Sequence, residues 1–137
     1  MDKVDHANEW IKYAKADYSV AEHLKSAQHP TPIEIICFHC QQAGEKALKA
    51  VLAYHDEAIP RTHSLNAVLE LCAMHYPKMQ DMLAEQADHL SGFAVVTRYP
   101  NEVEVTEADM ILALKYAGQI LSHVETLWRY SKTTSKP

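Results

Sequence analysis

The chain has 137 residues, a length that predicts one domain with a core large enough to bury most of its surface. Its formal net charge of −5 excludes a general nucleic-acid coat protein, which needs a strongly basic surface, but leaves room for a local basic site. The chain has only three glycines, and 47% of its residues are hydrophobic. The scarcity of glycine favours helices over strands and tight turns. No apolar run is long enough to span a bilayer, and the polar N-terminus is unlike a signal peptide, so we expect a cytoplasmic protein with no membrane contact.

The first two predicted elements are long helices. Apolar residues recur at helical spacing over 5–27, until a proline-containing segment ends the pattern. The second helix is predicted over about 32–54. Thr31 is a suitable N-cap, Pro32 suits the first helical position, and Glu34 completes a capping box.

Three more helices are predicted after a second proline-marked loop. A short helix follows Thr62 as its cap, and another runs over about 77–91. The last helix, about 106–130, begins with a threonine cap and acidic residues that suit the positive end of the helix dipole. Residues 93–105 are expected to form a long ordered loop, although a valine pair there also fits a strand, and residues 131–137 a frayed tail. Three long helices and one or two short ones, joined by short loops, predict an all-α fold built as an antiparallel bundle.

The second predicted helix carries a polar stripe beside a broad face of small apolar residues. At about 100° per residue, His39, Gln42, Lys46 and Lys49 align along this stripe. Cationic and hydrogen-bonding side chains so arranged are candidates for binding an anionic ligand. The same spacing also fits a solvated helix surface, so the pattern alone leaves both interpretations open.

The cysteines and histidines give no sign of a metal or redox centre. Three cysteines, an odd number, do not predict a disulfide framework and are expected to be small buried side chains in a reducing compartment. The CxxC segment 37–40 lies inside a predicted helix, without a preceding strand or a second ligand pair, which argues against redox or zinc use. The nine histidines form no recognised ligand motif, so no metal site is predicted.

Two other segments carry candidate ligand-binding residues. His63 lies in the loop after the second helix and is either a ligand contact or a first-turn residue that only packs. Arg98 and Tyr99 are candidates for an anion clamp, because guanidinium binds phosphate bidentately. The alternative for the arginine is an ion pair with Glu102 or Glu104.

Several segments of the sequence resemble a known family. The string Phe38-His39-Cys40-Gln41-Gln42-Ala43-Gly44-Glu45-Lys46-Ala47-Leu48-Lys49-Ala50 closely resembles the signature of the HEPN domain family, whose name stands for higher eukaryotes and prokaryotes nucleotide-binding. His63-Ser64-Leu65 and Thr97-Arg98-Tyr99-Pro100 match other recurrent pieces of one subgroup in the same order, and residues 10–21 resemble its first helix. The resemblance extends over about 5–130.

The resemblance implies one HEPN-like domain over 1–137, with its core at about 5–130. It implies an all-α, up-and-down bundle of four main helices plus a short extra helix, which is often dimeric and takes nucleotide or RNA as ligand. It also implies a toxin–antitoxin or substrate-binding pair with a minimal nucleotidyltransferase partner. Many catalytic members are metal-independent ribonucleases with an Arg-x4–6-His motif. The arginines of this sequence are Arg61, Arg98 and Arg129, and none is followed by histidine at that distance.

We therefore expect a non-catalytic HEPN module that needs no cofactor and binds a nucleotide such as ATP, or RNA. The expected ligand-binding residues are His39, Gln42, Lys46, Lys49, His63, Arg98 and Tyr99. A homodimer is also expected, because Ile35, Phe38 and Leu52 lie away from the main apolar face of the second helix.

Two other functions remain open. One is a metal-independent ribonuclease with a displaced active site at the dimer cleft, which would use His39 or His63 with Arg98. The other is a purely structural interaction protein whose polar stripe is only solvated.

Overall fold

The computed structural model describes residues 2–95 and 104–135, and its described side chains end at residue 128. The regular secondary structure of these residues is helical. No strand occurs among these residues, and the predicted all-α bundle with one short extra helix is confirmed. The five helices of this part of the chain are α1 Lys3–Ala27, α2 Ile33–Tyr54, α3 Leu65–Ala73, α4 Lys78–Ser91 and α5 Glu107–Ser135.

Helix α2 is the centre of the bundle and contacts each of the other four described helices. Most of its residues are buried, including Leu48 and Leu52, which are fully covered on the side away from the main apolar face. The prediction that Leu52 needs a partner surface was wrong, because the other helices of the same chain enclose α2 from more than one side. Ile35 is 41% exposed and Phe38 is half-buried, so these two residues still offer apolar surface to a partner.

The predicted capping box at the start of α2 is not formed. Pro32 occupies the N-cap position, and no side chain makes a capping hydrogen bond there. The backbone N–H of Ile33 instead donates to the carbonyl oxygen of Thr31 at 2.9 Å, so a tight turn precedes the helix. Thr31 therefore lies one residue before the N-cap position, and its hydroxyl does not cap α2.

The start of α3 also differs from the prediction. Ser64, not Thr62, is the N-cap, and its hydroxyl accepts from the backbone N–H of Ala67 at 3.2 Å. The hydroxyl of Thr62 accepts from the backbone N–H of Ser64 at 3.1 Å, which stabilises the turn that leads into the helix. Thr62 thus stabilises the turn and Ser64 caps the helix, where the sequence predicted a single capping residue.

The start of α5 has the predicted cap. The backbone N–H of Asp109 donates to the Thr106 hydroxyl at 3.1 Å, and the backbone N–H of Thr106 donates to the Asp109 carboxylate at 3.0 Å. The hydrogen bond from the Thr106 backbone is the main cause that lowers the pKa of Asp109. At its other end α5 continues to Ser135, beyond the predicted helix end at about residue 130, and no glycine or proline interrupts that stretch.

The first and last helices are joined near their outer ends. The indole N–H of Trp128 donates to the Asn8 side-chain oxygen at 3.0 Å, which ties α5 to α1 across 120 residues of sequence. Helix α1 therefore packs on α2 along one side and on α5 along another.

All three cysteines are buried and none is in a disulfide, in agreement with the prediction. Burial raises the pKa of the Cys72 thiol to about 12 and raises that of Cys40 as well. No helix within the described ranges is both long and apolar enough to cross a membrane.

Candidate anion-binding site

The polar face of α2 meets α1 at Asp17. One carboxylate oxygen, Oδ1, lies 2.9 Å from His39 Nδ1, and the other, Oδ2, accepts from Lys46 Nζ at 2.6 Å. The Asp17 side chain is 14% exposed, and those of His39 and Lys46 are each 26% exposed. Two residues of the predicted stripe are therefore held side by side by one carboxylate and are not simply solvated.

A second carboxylate organises the other end of the stripe. Glu45 Oε1 accepts from Gln41 Nε2 at 3.0 Å and lies 3.0 Å from His63 Nδ1, while Oε2 accepts from Lys49 Nζ at 3.0 Å. The Glu45 and Lys49 side chains are only 5% and 8% exposed. This cluster is thus a buried ion pair that extends to the surface through His63, whose side chain is 69% exposed.

The pKa of Glu45 is set by two opposing effects. Burial, the largest single cause, acts to raise this pKa by disfavouring the charged carboxylate. The hydrogen bonds with Lys49, His63 and Gln41, together with the positive charge of Lys49, outweigh burial, so the pKa of Glu45 lies below its ordinary value. The carboxylate is therefore ionised at neutral pH, which matches the charge of Lys49.

Glutamine side chains join the polar stripe to the loop between α2 and α3. Gln42 Nε2 donates to Gln41 Oε1 at 2.7 Å, and Gln41 Nε2 also donates to the backbone carbonyl of His63 at 3.1 Å. The buried amide of Gln41 thus holds both the backbone of His63 and the carboxylate beneath its ring. His63 is fixed at the surface, although no helix contains it.

The structure brings most of the predicted site residues to one face of α2. His39, Gln42 and Lys46 line its partly exposed edge, with Lys49 buried beneath and His63 beside it. Arg98 and Tyr99 lie outside the described residues. Sequence reasoning missed three residues of the network, Asp17, Gln41 and Glu45.

Both histidines of the site have the same relation to a carboxylate. His39 and His63 each turn Nδ1 toward a carboxylate, which favours the tautomer with hydrogen on Nδ1 and leaves Nε2 on the opposite edge of the ring. Lys46 has further N–H donors beyond the one that Asp17 takes. This arrangement can donate to an anion oxygen, while no group of three His, Cys, Asp or Glu side chains in the described part of the chain is placed to hold a metal ion.

A large groove lies elsewhere on the described part of the chain. It has a volume of about 870 Å³ between α1, α4 and α5, and is lined by residues such as Tyr18, Gln86 and Lys115. None of the predicted site residues lines it. The candidate site is therefore an exposed helix face and not a cavity.

Comparison with known proteins identifies the family. The model of the HEPN domain matches residues 7–127 of the chain. The chain belongs to the HEPN domain family. This HEPN domain is similar to the crystal structure of TT1696 from Thermus thermophilus, with 26% identity and a TM-score of 0.69 over 88% of this chain and 96% of that chain.

The HEPN domain is also similar to ST0689, described as an archaeal HEPN homologue. The identity is 28% and the TM-score 0.69, over 88% of this chain and 95% of the other. No curated protein matches the chain. The membership and the fold that the sequence predicted are both confirmed.

Proposed function

We propose that this HEPN domain is a non-catalytic module that binds nucleotide or RNA phosphate on the exposed edge of α2 and acts with a minimal nucleotidyltransferase. The observation that carries the proposal is the pairing of His39 and Lys46 on one carboxylate of Asp17. The pairing fixes an imidazole and an ammonium next to each other at a partly exposed surface. The remaining N–H donors of the Lys46 ammonium suit a phosphate group, while Nε2 of the neutral imidazole accepts and suits a hydroxyl next to it.

The non-catalytic part of the proposal is supported by the sequence. Metal-independent RNA cleavage needs a general base and a cation that stabilises charge at the phosphate. The Arg-x4–6-His motif that supplies both in catalytic HEPN domains is not formed by Arg61, Arg98 or Arg129.

Lys49 has a different part in this proposal from Lys46. With 8% of its side chain exposed, it offers little surface to a ligand. Its ammonium fixes Glu45, which in turn orients His63. Lys49 therefore supports the site from below, whereas Lys46, Gln42 and the histidines face the ligand.

Calorimetric titration with ATP tests the binding function. The wild type is expected to bind saturably, and Lys46→Ala to bind at least about tenfold more weakly, because a hydrogen bond to a charged group contributes about 1.5–3 kcal/mol. Lys115→Ala is the matched control, since Lys115 is exposed on α5 outside the network. Absence of saturable binding, or equal affinity of wild type and Lys46→Ala, would contradict the proposal.

One observation favours the alternative function, a metal-independent ribonuclease. Each carboxylate–imidazole pair orients a histidine as a general base is oriented in hydrolytic enzymes. RNA incubated in EDTA with wild type, His39→Ala, His63→Ala and Arg98→Ala distinguishes the functions. Cleavage by the wild type that any of these substitutions abolishes would establish the ribonuclease, whereas equal background in all four supports the non-catalytic module.

The proposed assembly is a homodimer that pairs with a nucleotidyltransferase. The exposed Ile35 and half-buried Phe38 lie next to the polar stripe, which is suitable surface for a second copy. Light scattering at micromolar concentration checks the dimer, and a monomer mass would exclude it. A nucleotidyltransferase gene adjacent to that of this chain, and co-purification of the two products, would support the partner.

A further inference from the structure

Aromatic residues of α1 lie next to the polar face of α2. Trp10, Tyr13 and Asp17 are spaced three and four residues apart, so they lie on one face of α1. Asp17 binds Lys46, and Lys49 Nζ lies 6.0 Å from the centre of the Trp10 ring. The α1 face therefore continues directly into the polar face of α2.

The core of the bundle does not use the Tyr13 ring. Tyr13 is 55% exposed, and Lys12 Nζ lies 5.9 Å from the centre of its ring. Trp10 is half-buried, and its indole N–H donates to His6 Nε2 at 3.3 Å, which fixes the ring in place. The exposed Tyr13 ring is thus kept at the protein exterior next to Lys12, with the half-buried Trp10 ring one turn before it.

Aromatic rings interleaved with lysines are the surface that single-stranded nucleic acid requires. Bases stack on the rings and the lysines follow the backbone, and such binding tolerates most sequences. Trp10 and Tyr13 differ by three residues, or about 4.5 Å along the helix axis. The two residues therefore lie within reach of one short stretch of a single strand.

We propose that α1 is the base-stacking platform of the site, with Tyr13 as its main ring and Trp10 as its second, and that the preferred ligand is a single-stranded nucleic acid, which binds more tightly than a mononucleotide. This inference rests on the proposed function, because it places a phosphate at Lys46. A chain of several nucleotides contacts both rings and the lysine together, whereas ATP has one base and cannot stack on both.

The charges of the surface indicate that stacking provides most of the affinity. Asp17 and Glu45 already neutralise Lys46 and Lys49, and Glu9 lies one helical turn before Tyr13. Few counterions are therefore released when the ligand binds. The logarithm of the dissociation constant is expected to rise with the logarithm of salt concentration with a slope of only about 1.

Fluorescence anisotropy with labelled oligoadenylate of about ten nucleotides tests the platform. The wild type is expected to bind the oligonucleotide more tightly than ATP. Tyr13→Ala is expected to weaken oligonucleotide binding by about tenfold or more, and Tyr13→Phe, which keeps the ring, to restore it. Val20→Ala is the matched control, because Val20 is an exposed aliphatic residue further along the same face.

The outcomes separate this inference from the proposed function. ATP binding that depends on Lys46, with no preference for the oligonucleotide and no effect of Tyr13→Ala, would overturn the platform and leave the proposed function intact. No binding of either ligand would overturn both. An effect of Tyr13→Ala on dimer mass alone would assign this surface to a protein contact and also overturn the inference.

A matched oligodeoxyadenylate distinguishes RNA from DNA. Tighter binding of the ribose form supports the platform with RNA as ligand, since only RNA has a 2′-hydroxyl. Equal binding of both, with the same loss in Tyr13→Ala, supports a platform for single strands of either kind.

Discussion

The rings of His55 and His75 are stacked, with centres 4.1 Å apart and planes within 9° of parallel. His55 Nε2 lies 2.8 Å from the Tyr76 hydroxyl, and His75 Nε2 lies 2.7 Å from Glu57 Oε1. The stack thus joins the end of α2 to the turn between α3 and α4. Burial, followed by the nearby His75 and Lys3, lowers the pKa of His55, so the fold favours its neutral form.

Acid is expected to destabilise this fold. Burial lowers the pKa of both His55 and His123 below the ordinary histidine value of about 6.5. Below that pH the unfolded chain binds more protons than the folded chain, so the free energy of unfolding falls as pH drops through about 6.5 toward the folded pKa values. Denaturant unfolding between about pH 7.5 and 5.5, at constant ionic strength, measures this loss.

The variant His55→Gln is expected to lose less stability over the same pH interval, because it lacks one titrating group. His23→Gln, in the exposed part of α1, should follow the wild type. Identical pH dependence in all three proteins would show that the stacked imidazole is not a source of acid sensitivity.

Glu45→Ala is expected to reduce the free energy of unfolding by about 3–5 kcal/mol. The change leaves the ammonium of Lys49, 8% exposed, and the buried amide of Gln41 without their carboxylate partner. Glu70→Ala removes an exposed carboxylate from α3 and should stay within about 0.5 kcal/mol. Similar urea midpoints for both variants would show that the ion pair contributes no more than a surface charge.

Leu48→Ala is expected to reduce the free energy of unfolding by about 2–4 kcal/mol, because the side chain is fully buried and its removal leaves a cavity. Ile111→Ala is the control, since Ile111 is 49% exposed on α5. Its effect should stay below about 0.5 kcal/mol in the same denaturant experiment. A loss that small for Leu48→Ala would contradict the observed burial.

Gly44→Ala should destabilise the protein although alanine favours helices. The new methyl group would lie 2.9 Å from Leu65 Cδ2 and 3.1 Å from Leu90 Cδ1. Both leucines are fully buried, so their methyl groups have little room to move away. Overpacking costs about 1–3 kcal/mol, against about 1 kcal/mol gained in helix propensity. Gly92→Ala has only a backbone oxygen 3.8 Å away and should be neutral or stabilising. A higher melting temperature for Gly44→Ala would contradict the packing argument.

The helices were predictable because the signals that set them are local. Thr106 and Asp109 form the cap that their spacing predicts, since both partners are within one turn. Leu52 was misread for the opposite reason. A helical wheel shows which residues share a face, but it does not show how many neighbouring helices cover the cylinder.

The site was predictable only in part. The wheel of α2 placed Lys46 and His39 together, but their partner Asp17 is 29 and 22 residues away on another helix, so they read as unpaired. Glu45 and Lys49 are four residues apart on one helix, a spacing from which their ion pair can be predicted. Tertiary packing decided which of the two lysines is buried.

Asp17 also determines how an anion has to bind under the proposed function. A phosphate that reaches Lys46 meets an ammonium that already donates to Asp17, so it has to use the remaining N–H donors next to a carboxylate of like charge. The contact that stabilises α1 against α2 is therefore the one that opposes the ligand. Affinity and stability are in conflict at this residue, and evolution can raise one only at the expense of the other.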